Sequence, residues 1–206
     1  MDVEIRPARP DDVDAAVPLI YCAGEHEYDY PFTTEHHTAT EFIRAAFLGG
    51  SRSDSHRGFH VAVVDGRVVG IGSFLGGGEF STANTLRLVW DMYRLYGFRE
   101  FWGVLRRGLR FQAIVPPPDA ETLFIQKVGV SPEMRGRGIG THLISERIAV
   151  AREQGFRRCE LDVAATNPGA QRLYEHLGFE VIGERRLDTD DGAVEVPPER
   201  RLRLVF

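Results

Sequence analysis

The sequence predicts an α/β fold in which a mixed sheet is covered by helices on both faces. Three observations predict it. Short apolar runs rich in β-branched residues recur along the 206 residues, separated by stretches with helical periodicity. Two of these runs, 59–64 and 67–74, flank Asp65-Gly66, the pattern of a hairpin closed by a type I′ turn. A further run, 122–130, passes through Ser131-Pro132-Glu133-Met134 into Arg135-Gly136-Arg137-Gly138-Ile139-Gly140 and at once into an amphipathic stretch.

The elements follow in order. Val3-Glu4-Ile5-Arg6 alternates and predicts a first strand, stopped by Pro7 and Pro10. Asp11 or Asp12 is expected to cap a helix running to about Gly24. Thr33 or Thr34 is expected to cap a second helix that buries Phe42, Ile43, Ala46 and Phe47 and ends at Gly49-Gly50. His36 and His37 fall on that helix, where neighbours face different directions, so a surface position is predicted rather than a metal pair. The polar stretch 51–58 predicts a mobile loop. After the hairpin, Gly76-Gly77-Gly78 ends the unit.

Residues 84–111 change character. Leu86, Val89, Tyr93 and Tyr96, then Phe98, Phe101, Trp102, Leu105 and Leu109, recur at helical spacing and predict two amphipathic helices broken near Gly97. The polar side carries Arg94, Arg99, Arg106, Arg107 and Arg110; covering the core and walling a pocket is the expected use. Pro116-Pro117-Pro118 makes a stiff link into the strand at 122–130. Beyond the glycine turn, Leu143, Ile144, Ile148 and Ala151 share one side of a helix ending near Gly155, and 158–163 is the next strand. Asn167-Pro168 starts a short helix that Gly178 stops. Residues 179–182 form a strand, Asp190-Asp191-Gly192 turns, and 201–206 forms a last strand.

A chain of this length suits one domain, 1–206. Net charge is −5, which argues against nucleic acid as a partner. Lys127 is the only lysine among 25 basic residues, which reads as compositional bias toward arginine. Cys22 and Cys159 lie far apart, so neither a metal site nor a disulfide framework is expected. The acidic start, Met1-Asp2-Val3-Glu4, has no apolar core of a signal peptide and no run reaches membrane-span length. A cytoplasmic protein without a membrane partner, monomer or homodimer, is the expectation.

The glycine turn carries the chemistry. Gly136, Gly138 and Gly140 remove the Cβ atoms that would hold a ligand off the backbone, and the amides there point outward at a helix start with its positive dipole. Arg135 and Arg137 screen an anion further. The spacing is neither GxGxxG nor a P-loop, since no Gly-Lys-Ser/Thr follows. A diphosphate is the ligand this suits.

Together with the strand ending Leu161-Asp162-Val163 and the block Asn167-Pro168-Gly169-Ala170-Gln171-Arg172-Leu173-Tyr174-Glu175-His176-Leu177-Gly178-Phe179, this turn resembles the GNAT family of acyl-CoA-dependent N-acetyltransferases. The turn fits their Arg/Gln-x-x-Gly-x-Gly/Ala signature, and the second block their Asn…Leu-Tyr-Glu…Leu-Gly-Phe signature. The match is close over 121–183 and rests on element order alone over 1–75. The resemblance implies a mostly antiparallel sheet of about seven strands, with residues 79–118 as a helical insertion between strands 3 and 4.

It also implies roles. Acetyl-CoA would be the co-substrate, with no metal. Amides of Arg135, Gly136, Arg137, Gly138, Ile139 and Gly140 would hold its pyrophosphate. Val128 and Val130 would offer backbone groups to the pantetheine arm, and the amide near Val128 would hold the oxyanion. Asn167 would contact the same arm, besides capping its helix. Tyr174 would protonate the leaving thiolate; its alternative role is a packed helix aromatic. Asp162 matches the position of a glutamate base in the ribosomal-protein branch of the family, with a strand-end aspartate bonded to backbone, or an ordered water as base, as the alternatives. The family's other base position, on the fourth strand, is Phe124 here.

The resemblance implies that a loop between the first two helices lines the acceptor pocket. In this chain it is 24–32, and Glu25, Glu27, Tyr28 and Tyr30 are its candidate substrate-binding residues, suited to a cationic amine on a small molecule or peptide. The implied function is acetyl transfer to a primary amine by direct attack in a ternary complex. A non-catalytic acyl-CoA-binding module and a nucleotide-phosphate binder are the rival readings.

Overall fold

The computed structural model describes residues 2–187 and 196–206; the turn expected at Asp190-Asp191-Gly192 lies outside them. Among the described residues seven strands form one sheet: β1 (Glu4–Pro7), β2 (Phe59–Val64), β3 (Arg67–Gly76), β4 (Thr122–Val130), β5 (Arg158–Ala164), β6 (Glu180–Arg185) and β7 (Glu199–Val205), in the order β1-β2-β3-β4-β5-β7-β6. Only β4 and β5 run parallel; the other neighbours are antiparallel. The helices among the described residues are α1 (Val13–Tyr21), α2 (Glu25–Phe32), α3 (Ala39–Leu48), α4 (Thr82–Ile114), α5 (Ile139–Glu153) and α6 (Pro168–His176).

Both faces of the sheet are covered. Phe59, Val61 and Val63 join Ile71 in an apolar cluster with α1, α3 and the inner side of α4. The alternate residues Ala62 and Val64 pack with Val69 on Ile139 of α5. Period-two alternation on β2 thus feeds two separate cores. A third cluster joins Leu123, Ile125, Cys159 and Leu161 to residues of α5 and α6.

The hairpin forms as expected: Asp65 and Gly66 both take positive φ, 49° and 75°. The expected insertion is α4, between β3 and β4, broken at Gly97 (φ 60°, ψ −177°). Its Met92, Tyr96, Phe101 and Val104 are buried in the core.

Three expectations are corrected. The segment 24–32 is a helix rather than a loop. Its last carbonyls are held from outside: Arg107 donates to the carbonyls of Pro31 and Thr33 at 3.1 and 3.2 Å, and the Tyr96 hydroxyl donates to that of Phe32 at 2.7 Å. The next helix is capped not by Thr33 or Thr34 but by Thr38, in a reciprocal box with Glu41. His36 and His37 therefore precede it, and His37 Nδ1 lies 2.9 Å from Glu100 of α4. Residues 51–58 are pinned: Ser51 and Ser55 are fully buried, and Asp54 pairs with Lys127 at 2.6 Å.

Candidate active site

Two irregularities in β4 create the site. Its parallel pairing with β5 covers only Thr122 to Ile125, opposite Arg158 to Leu161, so the strands separate beyond that point. Against β3 the register slips between Ile71/Gly129 and Ser73/Gln126, leaving Lys127 and Val128 opposite a single residue in a bulge. Lys127 takes a left-handed φ of 57°, which the bulge imposes. Gly129 lets α1 approach, since a Cβ there would collide with the Leu19 carbonyl oxygen.

The split between β4 and β5 opens into a polar cavity of about 320 Å³. Glu27, Val128, Asp162, Asn167 and Tyr174 line it, with His26 and Lys127. A second cavity, about 280 Å³, lies under α4 and is lined largely by apolar side chains. Glu27, Gln126 and Lys127 line both, so they form the partition between the two.

At the C-terminal end of β4, a 3-10 turn, Pro132–Met134, leads into the glycine segment. Gly136 and Gly138 hold φ of 73° and 79°, a conformation that side chains resist, and nothing lies within 4 Å of where their Cβ atoms would be. Gly138 caps α5 without a side-chain bond. His142 donates to the Gly138 carbonyl, but the amides of residues 136–141 have no acceptor among the described residues. That is a cradle of bare donors at a helix start, and it fits a diphosphate. Ile139 itself is buried, its side chain packed on Ala62, Val64 and Val69. The Arg135 Nε donates to the Val130 carbonyl at 3.1 Å; Arg137 is exposed.

Tyr174 sits on α6, 9% exposed, with Phe179 edge-on against its ring. Burial pushes its pKa up to about 12, and the Glu27 charge adds to this, so the phenol holds its proton. Asn167 performs its capping role, its Oδ1 accepting from the Ala170 amide at 3.0 Å, and also lines the cavity.

Asp162 is tied up. Arg201, across the β5–β7 ladder, donates to both carboxylate oxygens at 2.9 and 2.5 Å. Burial raises the Asp162 pKa against the opposing pull of Arg201, yet any proton taken there must break a bidentate pair. Glu27 is the contrasting carboxyl. It makes no hydrogen bond or ion pair among the described residues. Burial, with the neighbouring Glu199 charge, pushes it up to about 8.

His26 Nε2 lies 3.1 Å from Oε1 of Glu199, whose Oε2 is buried without a partner among the described residues. Burial would lower the His26 pKa, but the Glu199 bond and nearby carboxylates raise it above the ordinary value. Ligand atoms of His26, Glu27 and Glu199 fall within 4.8 Å of one another, a metal-like grouping in which the His26–Glu199 bond already uses two of the three.

Of the substrate candidates, Glu27 and Tyr28 reach the cavities; Glu25 is exposed at the rim of the polar one. Tyr30 reaches neither and is buried beside Ile114 and Val196. Two residues along a helix turn about 200°, so Tyr28 and Tyr30 face opposite ways once 24–32 is helical. Val130 also lines neither cavity. Lys127, read from sequence as a compositional remnant, stands in the partition; its being the lone lysine was the available signal.

The architecture is an acetyltransferase fold. A crystal structure described as an acetyltransferase superposes with a TM-score of 0.66 at 18% identity, covering 98% of each chain. The structure of yncA from Salmonella typhimurium, a putative acetyltransferase with its cofactor acetyl-CoA, gives 0.57 at 19% identity, covering 100% of this chain and 94% of that one.

The sequence profile described as the Acetyltransferase (GNAT) family matches residues 21–179, and the chain belongs to that family. An N-acetyltransferase of Methanocaldococcus jannaschii, MJ1207, is 47% identical over 60 residues, 29% of this chain and 26% of that protein. The mycothiol acetyltransferase of Beutenbergia cavernae is 45% identical over 62 residues, 30% of this chain and 21% of its own length. The alignments thus span about a quarter of these relatives. No helix among the described residues is long and apolar enough to cross a membrane.

Proposed function

We propose that this chain transfers the acetyl group of acetyl-CoA to a primary amine by direct attack within a ternary complex. The observation that carries the reading is the pair of cavities meeting at Glu27, with Tyr174 lining the polar one beside it. Bound acetyl-CoA supplies a thioester carbonyl open to a nucleophile. The amides of residues 136–141 and the positive end of α5 bind the diphosphate. The bulge at Lys127 and Val128, free of both neighbouring strands, offers backbone groups along the split and an amide near Val128 for the carbonyl oxygen.

Glu27 takes the proton from the amine, since its carboxylate is unpaired and poised near working pH. Asp162, expected from sequence in this role, instead holds Arg201 in place. Tyr174 keeps its proton and delivers it to the departing sulfur.

A free-thiol release assay with acetyl-CoA across a panel of amines tests the proposal. Amine-dependent thiol release supports it. Tight acetyl-CoA binding without release for any amine supports the rival, a non-catalytic binding module.

A further inference from the structure

The second cavity lies under an element that the sequence marks as an insertion, and its walls are mostly apolar, with Ser53, Asp54, Glu79, Asn84, Thr85 and Gln112 among them. Phe80, Leu88, Val89, Leu105, Phe111 and Phe124 form the body, and Glu27, Gln126 and Lys127 stand at one end, where it meets the polar cavity. At about 280 Å³ it has room for roughly nine waters at ~30 Å³ each, the space of a ring or short alkyl chain with a two-carbon arm.

The charges on its walls decide what fits. Asp54 is paired with Lys127 at 2.6 Å and accepts from Ser53 as well. Burial alone would raise the Asp54 pKa; the Lys127 charge together with hydrogen bonds from Lys127, Ser53 and Ser51 outweighs it and holds the carboxylate below its ordinary value. Glu79 is ion-paired with Arg52 and accepts from the Gly76 amide at 3.0 Å. Among the described wall residues, Glu27 is therefore the one carboxyl with no cation or donor of its own. One ammonium finds a partner here. A second, further along the same molecule, would meet only the already paired carboxylates of Asp54 and Glu79 and the neutral side chains of Asn84, Thr85 and Gln112, so it would lose water without gaining a free charge partner.

We propose that the acceptor is a monoamine on a compact aryl or alkyl body, seated under α4 with its nitrogen at Glu27 and its body against Leu88, Leu105 and Phe111. This rests on the acetyl-transfer reading and narrows it. Diamines, polyamines and polycationic sugars, which the acidic composition of 24–32 would have suited, are poor substrates.

Gly108 supplies the test. It lines the cavity, and a Cβ there meets nothing within 4 Å among the described residues, so Gly108→Leu has room for its first carbon and adds bulk to the cavity. Leucine also favours the helix over glycine. Two probes are compared in wild type and variant: 2-phenylethylamine and spermidine, each with acetyl-CoA, with acetyl-CoA affinity measured separately by calorimetry. The expected result is kcat/KM at least tenfold higher for 2-phenylethylamine than for spermidine in the wild type. In Gly108→Leu, KM for 2-phenylethylamine rises at least tenfold while the acetyl-CoA Kd stays within twofold. Equal or better use of spermidine, or an unmoved KM, overturns the acceptor proposal while leaving acetyl transfer intact. Absent acetyl-CoA binding in the wild type overturns the transfer reading itself. Val89→Phe, which fills the cavity from another turn of α4, is the second variant, and it must raise the same KM.

Discussion

The Nζ of Lys127, the sole lysine of the chain, lies 2.6 Å from Oδ1 of Asp54, and the two side chains are only 13% and 17% exposed. The pair ties the loop before β2 to the bulge of β4, and its lysine stands in the partition between the two cavities. An arginine fork would not fit the same compact point contact.

Breaking that pair leaves a buried charge uncompensated. Lys127→Met is expected to cost about 3 kcal/mol of unfolding free energy, read from urea denaturation. Since Asp54 is held below its usual value, its contribution is present above the ordinary aspartate pKa and lost as pH falls through the depressed one. Asp54→Asn must therefore lose most at neutral pH and least in acid. Equal losses at both would detach the effect from the charge.

Glu27 sets a pH dependence of opposite sign. Its carboxyl is pushed up to about 8, so below that value it is protonated and cannot accept a proton. The log of kcat/KM should rise with pH through a limb near 8, and Glu27→Gln should remove the limb and lower the rate at least a hundredfold. Stability runs the other way: the raised pKa stabilises the fold at low pH, and this is lost as pH rises through about 8. Glu27→Gln should flatten that decline. A limb that survives in the variant would assign it to another group, Asp162 first.

Tyr174→Phe separates acid from packing. The ring stays against Phe179, so stability should change by less than about 1 kcal/mol, while turnover falls more than tenfold at nearly unchanged acetyl-CoA affinity. Unaltered turnover would leave Tyr174 a structural aromatic.

The cradle is tested at its strained glycine. Gly138 has φ 79°, and valine there costs about 1–3 kcal/mol of local strain. Gly138→Val should weaken acetyl-CoA binding at least tenfold by calorimetry, and Arg135→Glu should abolish it. Unchanged affinity in both would mean that the bare amides do not hold the diphosphate.

The fold and the cradle were readable in the chain because their signals are local: Asp65-Gly66, the break at Gly97, and glycines two apart before a helix. The Thr38–Glu41 box was readable too, as Thr-x-x-Glu, while Thr33 and Thr34, followed three residues on by His36 and His37, lack the acidic partner. The helix at Glu25–Phe32 was obscured by Gly24 and Pro31, and what holds its end is Arg107, 76 residues from Pro31. Pairings that assign the chemistry are longer still. Asp162 meets Arg201 through strand register, and His26 reaches Glu199 across 173 positions. No spacing in the sequence encodes which of Asp162 and Glu27 is left unpaired.

The most direct measurement follows thiol release and N-acetylated product together, in one reaction of the wild-type chain with acetyl-CoA and 2-phenylethylamine. One free thiol per acetylated amine, with both signals at least a hundredfold slower in Glu27→Gln, is the predicted result. Bound acetyl-CoA that releases no thiol to any amine tried would contradict the account.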